Sequence, residues 1–139
     1  MPRTLSPLDH DLLRLLRKNG REPFVRLADE LGTTEGTVRA RIKRLTDDGV
    51  IRQFTIRTGD ANLRALIEVV TDTNVNTSKL SGRISSWRGV EVVYEVSGDE
   101  DILVIADAKD TEELNELIEK IRELPDVRST RSRLILREV

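Results

Sequence analysis

The 139-residue sequence contains no cysteine, one histidine and few aromatic residues, which make up 3% of the chain. Without cysteine, a disulfide framework, a cysteine-based zinc site and a thiol nucleophile are all excluded. The apolar runs are far shorter than the ~18 residues of a transmembrane helix, and the start of the chain has no apolar signal segment. We therefore expect a cytoplasmic protein without a membrane partner.

Charge is abundant but unevenly distributed along the chain. The net charge is −2, yet residues 1–60 carry 12 basic and nine acidic side chains, whereas residues 61–139 carry 11 basic and 16 acidic ones. A basic first part is expected of a segment that contacts an anion such as nucleic acid. The excess is small, so this interpretation depends on the pattern of elements.

Apolar residues recur at helical spacing in three short segments of the first part. Turn and capping residues separate these segments, and an alternating stretch follows them. The predicted elements are a helix between the cap Ser6 and Asn19, a helix over 23–31, a helix after the cap Thr34 to about 47, and a strand over 50–56. Three helices joined by tight turns with a strand behind them predict a winged helix-turn-helix DNA-binding domain over 1–57.

After a polar connector over 58–64, the second part alternates between strand and helix patterns. The predicted strands cover 66–70, 90–96, 102–106 and 127–136, and the predicted helices cover 78–87 and a segment from the cap Thr111 to Leu124. The order βαββαβ predicts a ferredoxin-like domain over 65–139, an antiparallel sheet with both helices on one face. The whole chain is therefore predicted to be α+β.

The third predicted helix carries the features that favour DNA binding. Its apolar stripe (Val38, Ile42, Leu45) would face the core, so the opposite side faces outward. The outward and flanking residues, with those at the helix start, are Thr34, Glu35, Gly36, Thr37, Arg39, Ala40, Lys43 and Arg44. Small side chains let a helix enter a major groove, and the flanking cations can reach phosphates.

The roles within this set differ in kind. Arg39 is a candidate donor to guanine, and Thr37 is a candidate contact to a phosphate or a thymine methyl. Lys43 and Arg44 are expected to position the helix on the backbone rather than to read bases. Glu35 either accepts from cytosine or favours the positive end of the helix dipole.

Motifs in both parts of the chain resemble those of the Lrp/AsnC family of transcriptional regulators. In the first part the similar motifs are Asn19-Gly20-Arg21, Leu31-Gly32, Gly36-Thr37-Val38, Arg41-Ile42-Lys43-Arg44-Leu45 and Gly49-Val50-Ile51. In the second part they are Gly98-Asp99-Glu100-Asp101 and Leu124-Pro125-Asp126-Val127, followed by Thr130 and Ser132. The resemblance covers nearly the whole chain, with both modules in the expected order.

This resemblance implies a regulator that binds double-stranded DNA and an amino acid or related small effector, with no other cofactor and no metal. It also implies a homodimer formed through the βαββαβ module, assembled further into tetramers or octamers. The effector would bind where dimers meet, lined by Gly98, Asp99, Asp101, Thr130 and Ser132. The chemistry is compatible, since a carboxylate holds an ammonium while hydroxyls and turn N–H groups hold a carboxylate.

A sheet with helices on one face also leaves the other face uncovered. A partner sheet would bury Leu66, Val92, Ile105 and their neighbours on that face. Pairing of two such sheets by a two-fold axis would then present two recognition helices to one duplex.

Three other classes of protein remain open at this point. The first is an architectural DNA-binding protein without a ligand, which would show similar affinities for its own upstream region and for unrelated DNA at matched salt. The second is a metabolite sensor that acts through protein partners alone, which calorimetry with and without DNA would separate. The third is an enzyme, but His10 lies in an acidic helix start, and no metal-ligating or phosphate-loop pattern is present.

Overall fold

The structure is a computed structural model in which residues 4–59 and 62–139 are described. The chain divides into two compact units, residues 1–57 and 58–139. Asp60, part of the predicted polar connector, and Ala61 lie outside the described residues.

The first unit consists of three helices, α1 (Pro7–Lys18), α2 (Phe24–Leu31) and α3 (Glu35–Asp47). The three predicted helices are confirmed, with ends within about one residue of those expected. Gly32 has a positive φ of 65°, and this conformation ends α2 and allows the tight turn into α3. The helices bury one shared core of Leu12, Leu27, Ala28, Val38, Ile42 and Leu45.

The predicted strand over 50–56 is wrong, since the structure assigns no strand to residues 50–59. A strand needs a neighbour to pair its backbone N–H and C=O groups, and all strands of the described residues belong to the sheet of the second unit. The apolar side chains that produced the alternating pattern, Val50, Phe54 and Ile56, are exposed.

The second unit is a four-stranded antiparallel sheet with two helices. Its elements are β1 (Leu63–Thr71), α4 (Thr77–Ser85), β2 (Val90–Glu95), β3 (Ile102–Ala108), α5 (Thr111–Arg122) and β4 (Val127–Leu134). The strand order β2-β3-β1-β4 confirms the ferredoxin-like βαββαβ prediction. Because β1 begins at Leu63, the residues Leu63 and Arg64 belong to the strand and not to the connector.

Both helices lie on one face of this sheet, as predicted. Alternate residues of β1 and β3 are buried against Leu80 and Ile84 of α4 and against Leu117 and Ile121 of α5. The residues between them point to the other side of the sheet. We call that side the open face; its members are Leu66, Glu68, Val70, Val92, Tyr94, Leu103, Ile105, Arg131 and Arg133.

The start of α5 differs from the prediction in its capping residue. Thr111 is the first helical residue, and Asp110 is the N-cap, with Oδ1 accepting from the Glu113 N–H at 2.8 Å. The Glu113 carboxylate reaches back to the Lys109 N–H at 2.7 Å. The predicted cap at Thr111 is therefore wrong, because aspartate one residue earlier is at least as good a cap as threonine.

Candidate nucleic-acid interface and effector site

The outer side of α3 is exposed and carries the small residues expected there. Gly36 and Ala40 lie opposite the buried stripe of Val38, Ile42 and Leu45.

The start of α3 is fixed by its two threonines. The Thr34 side chain is the N-cap and accepts from the Thr37 N–H at 3.2 Å, and the two hydroxyls lie 2.9 Å apart. The remaining N–H groups of the first turn have no partner within the helix and can meet an anion.

Two of the cations predicted to contact DNA, Arg39 and Lys43, form exposed ion pairs within α3. Arg39 Nη2 lies 3.0 Å from the Glu35 carboxylate, and its guanidinium lies 4.9 Å from the centre of the Phe24 ring. Lys43 Nζ lies 2.6 Å from the Asp47 carboxylate, whose hydrogen bond and charge raise the pKa of Lys43. Exposed pairs of this kind are weak, so phosphates can displace the acids while the side chains stay close to their outward positions.

Arg44 has a different environment from the one its position on the helix predicts. Its Nη2 donates to both carboxylate oxygens of Asp9 in α1, at 3.0 and 3.2 Å. Arg41 Nη1 donates to Asp9 Oδ1 at 3.1 Å and to Ser6 Oγ at 2.9 Å. The Asp9 side chain is 2% exposed, whereas that of Arg44 remains 50% exposed. We call these four residues the Asp9 cluster.

Asp9 also closes the capping box of α1, because Ser6 N–H donates to Asp9 Oδ2 at 3.0 Å and Asp9 N–H donates to Ser6 Oγ at 3.2 Å. Burial raises the pKa of Asp9, but the hydrogen bonds with Ser6 and Arg41 outweigh it, so the pKa lies below its usual value. Sequence reasoning missed this residue. The Ser-x-x-acid spacing at 6–9 is the signal that could have found it.

In the second unit, three of the residues proposed for the effector lie in the turn between β2 and β3. Gly98 has a positive φ of 136° and is exposed, as is Asp99. Asp101 is half-buried, and its Oδ2 accepts from the N–H and hydroxyl of Thr71 at 2.8 and 3.1 Å. One carboxylate oxygen of Asp101 thus joins the turn to the end of β1.

The other two proposed effector residues lie on the edge strand β4. Thr130 and Ser132 pair with Val69 and Ile67 of β1, so both point toward the helix side of the sheet. Thr130 Oγ1 accepts from Arg122 Nε at 3.0 Å. Arg122 was missed because nothing in the sequence pattern marks this contact between the end of α5 and β4.

The turn and Thr130 lie at the same end of the sheet but on opposite sides of β1. Val69 pairs with Ile102 on one side and with Thr130 on the other, which separates these two backbones by about 10 Å at normal strand spacing. The five residues therefore lie along one end of the sheet and do not surround a ligand within one protomer.

Within residues 4–59 and 62–139 there is no group of three or more histidine or acidic side chains arranged to hold a metal ion. Nor does any helix in that part of the chain have the length and apolar character needed to cross a membrane.

Comparisons with known proteins agree with this two-part architecture. A family model for a winged helix-turn-helix DNA-binding domain matches residues 5–52. The model of the Lrp/AsnC ligand binding domain matches residues 64–139, more than half of the chain. The chain belongs to the Lrp/AsnC family. It is a transcriptional regulator of that family, with a DNA-binding domain followed by a ligand-binding domain.

Relatives of this Lrp/AsnC protein match along nearly their whole length. The chain is 41% identical over 130 residues to the HTH-type transcriptional regulator LysM of Sulfurisphaera tokodaii, with 93% of each chain covered. The solved structure of a transcriptional regulator from Neisseria meningitidis in complex with L-Met superposes with a TM-score of 0.78 at 22% identity. That match covers 98% of this chain and 92% of the other, and it supports the fold.

Part of this Lrp/AsnC chain is also similar in sequence to part of an enzyme. The chain is 49% identical over 78 residues to homocitrate synthase of Sulfolobus acidocaldarius, and these residues are 56% of this chain but 17% of the enzyme. The similarity therefore concerns a small part of the enzyme.

Proposed function

We propose that this regulator is a cytoplasmic, non-catalytic, sequence-specific DNA-binding protein whose DNA binding is controlled by an amino acid or related small molecule. The observation that carries the proposal is the outer side of α3, where small residues and outward cations lie opposite a fully buried stripe. A helix of this shape can enter a major groove while its cations meet the phosphates on either side.

Arg39 is the residue we assign to base recognition. Its guanidinium is held outward between Glu35 and Phe24 by weak contacts, so it can exchange the carboxylate for the O6 and N7 acceptors of guanine. Thr37 and Lys43 are assigned to backbone contacts. Thr34, Glu35, Gly36 and Ala40 shape the end and the surface of the helix.

Arg44 keeps the positioning role that its place on α3 suggests. The Arg44 side chain is half exposed, and its hydrogen bonds to Asp9 fix the orientation of the guanidinium. A phosphate contact from this side chain would add affinity without selecting a sequence.

The proposed effector site uses the turn residues Gly98 and Asp99, the carboxylate of Asp101, and the hydroxyls of Thr130 and Ser132. An amino acid suits this set because the carboxylates match its ammonium group and the hydroxyls match its carboxylate. The related structure from N. meningitidis contains L-Met. Because these residues lie along the end of the sheet and do not surround a ligand within one protomer, we propose that a neighbouring protomer completes the site.

We infer the mode of assembly from the open face. Leu66, Val92, Leu103 and Ile105 are only half-buried there, and Tyr94 is 53% exposed. Pairing two such faces about a two-fold axis would bury these side chains and give a homodimer. Further association of dimers into tetramers or octamers would then bring effector sites together.

Footprinting on DNA from the upstream region of its own gene tests the function. We expect protected segments spaced by one helical turn, ~34–36 Å, and a change in their extent when a bound amino acid is added. A panel of the twenty amino acids in a thermal-shift assay identifies the ligand. The variant Ser132→Ala should bind that ligand more weakly, while its affinity for DNA in the absence of ligand should not change.

An architectural protein would give equal affinity for this DNA and for unrelated DNA at matched salt, together with no ligand response. That result would contradict the proposed function. A control variant, Glu116→Ala on the exposed side of α5, should leave both DNA binding and ligand binding unchanged.

A further inference from the structure

A buried carboxylate lies on the open face, between its apolar side chains and the two arginines of β4. Glu68 is on the inner strand β1, where the side chain is 9% exposed although no described helix of its unit covers it. Arg131 is its direct partner on β4, with Nε 3.7 Å from Oε2, and Arg133 Nη2 lies 3.2 Å from Oε1. We call these three residues the Glu68 cluster.

The cluster is incompletely satisfied within one protomer. Glu68 Oε2 is buried and has no hydrogen-bond partner. The side chains of Arg131 and Arg133 are 70% and 58% exposed. The open face thus carries exposed arginine donors next to a buried acceptor that lacks a hydrogen bond.

The open face is divided into an apolar half and a charged half. Across the sheet, Tyr94, Leu103, Glu68 and Arg131 form one row, and Val92, Ile105, Leu66 and Arg133 form the next. The apolar members lie on β2, β3 and part of β1, whereas the guanidiniums lie on the edge strand β4. A partner for this face must therefore supply a hydrogen-bond donor to Glu68 Oε2 as well as cover apolar surface.

We propose that the Glu68 cluster selects which chains can pair through the open face, and that the partner it fits is a second copy of this chain. The inference rests on the homodimer proposed above. In an isologous pair each copy supplies its own carboxylate for its own two guanidiniums. It also brings guanidinium donors for Glu68 Oε2 of the other copy, the oxygen that lacks a hydrogen bond.

A related chain with an apolar residue at position 68 would make a poor partner. If it kept arginines at positions 131 and 133, it would bury their guanidiniums without a carboxylate, and an uncompensated buried charge is costly. Buried ion pairs of this kind add little to affinity over an apolar pair of the same shape, but they discriminate strongly against a mismatched partner.

The experiment compares Glu68→Leu, Glu68→Gln and the triple variant Glu68→Leu/Arg131→Leu/Arg133→Leu, with Glu116→Leu on α5 as the control. Sedimentation velocity over a concentration series gives the dimer dissociation constant of each full-length chain. Native mass spectrometry of mixtures with tagged wild-type chain gives the fraction of mixed dimer. Far-UV circular dichroism confirms that each variant is folded.

We expect Glu68→Leu and Glu68→Gln to weaken self-association by at least ~30-fold. The triple variant should self-associate within about threefold of wild type or more tightly, yet form few mixed dimers with wild type. The control variant Glu116→Leu should form mixed dimers with wild type in the statistical proportion. If Glu68→Leu fails to fold, the isosteric Glu68→Gln decides the question by the same two measurements.

Wild-type affinity and statistical exchange in both Glu68 variants would overturn the inference. Ile105→Asp separates this failure from failure of the proposed dimer. If Ile105→Asp dissociates the dimer while the Glu68 variants do not, only the role of the cluster is wrong. If Ile105→Asp leaves the dimer intact, or wild type stays monomeric throughout, the open face is not the interface and both proposals fall.

Discussion

At the scale of single residues, the roles proposed for Arg39 and Arg44 separate base reading from backbone positioning. Arg39→Ala should reduce affinity for the preferred site by about tenfold or more while changing affinity for unrelated DNA little. Arg44→Ala should reduce both affinities by a similar factor. It should also make the slope of log binding constant against log salt concentration, the salt slope, shallower by about one unit. Fluorescence-anisotropy titrations at several salt concentrations measure both quantities.

Lys43→Ala is a parallel test of the positioning role, because Lys43 is also an exposed cation of α3 assigned to backbone contacts, but it pairs within the helix to Asp47. It should lower the salt slope without affecting stability. An Arg44→Ala variant that changes only sequence preference would contradict the positioning role.

Asp9 predicts a specific dependence of stability on pH. Its pKa is lower in the folded protein than the ordinary value of 3.8, so the unfolded chain binds more protons between the two values. The stabilisation is therefore complete above the unfolded pKa and is lost as the pH falls through the folded pKa. Asp9→Asn should cost about 3 kcal/mol of unfolding free energy at pH 7.

Urea unfolding of wild type and Asp9→Asn from pH 7 to pH 2 measures this dependence. The difference between the two proteins should stay constant down to about pH 5 and shrink below it. A difference that does not vary with pH would show that the charge of Asp9 contributes nothing to stability.

At the scale of elements, the cap of α5 gives a direct test of the local structure. Asp110→Ala should destabilise the second unit by about 1 kcal/mol, because it removes the acceptor of the Glu113 N–H. Thr111→Ala should cost much less, since Thr111 is inside the helix. Thermal unfolding of the two variants makes the comparison, and equal losses would contradict the assignment of Asp110 as the cap.

The secondary-structure elements also show which parts of the fold could be predicted from the sequence. Helices α1 to α3 and the βαββαβ order were predictable because each depends on apolar spacing within a short segment. The strand over 50–56 was not, because pairing depends on a neighbour that the local pattern cannot supply. The contacts of Asp9 with Arg44 and of Glu68 with Arg131 join residues far apart in the chain, so no local spacing reveals them.

The residues of the candidate sites were likewise predictable only in part from local sequence patterns. The outward residues of α3 followed from its periodicity, whereas the effector residues followed only from the resemblance of Gly98-Asp99-Glu100-Asp101 and of Thr130 and Ser132 to a family pattern. Arg122 and the tether between Asp101 and Thr71 became visible only when the sheet brought them together.

At the scale of the whole molecule, the proposed dimer couples association to DNA affinity. Ile105→Asp places a charge on the open face and should convert the dimer to a monomer. Affinity for a site with two half-sites should then fall at least ~100-fold, because the second recognition helix is no longer held near the duplex. Affinity for a single half-site should not change.

Sedimentation and titration of the same preparation check this prediction together. Glu116→Leu, which changes the charge on the other side of the sheet, should leave both measurements at wild-type values. A monomeric Ile105→Asp chain that retains full affinity for the double site would contradict the coupling.

The alternation of β4 has a consequence for how such a regulator can change. Its even-numbered positions 130 and 132 point toward the helices and are assigned to the ligand, and its odd-numbered positions 131 and 133 point toward the open face and are assigned to partner choice. On these two proposals, substitutions at positions 130 and 132 would alter ligand specificity without altering the choice of dimer partner, and substitutions at positions 131 and 133 would do the reverse. Deleting one residue at the start of this strand would exchange the two sets and abolish both properties at once.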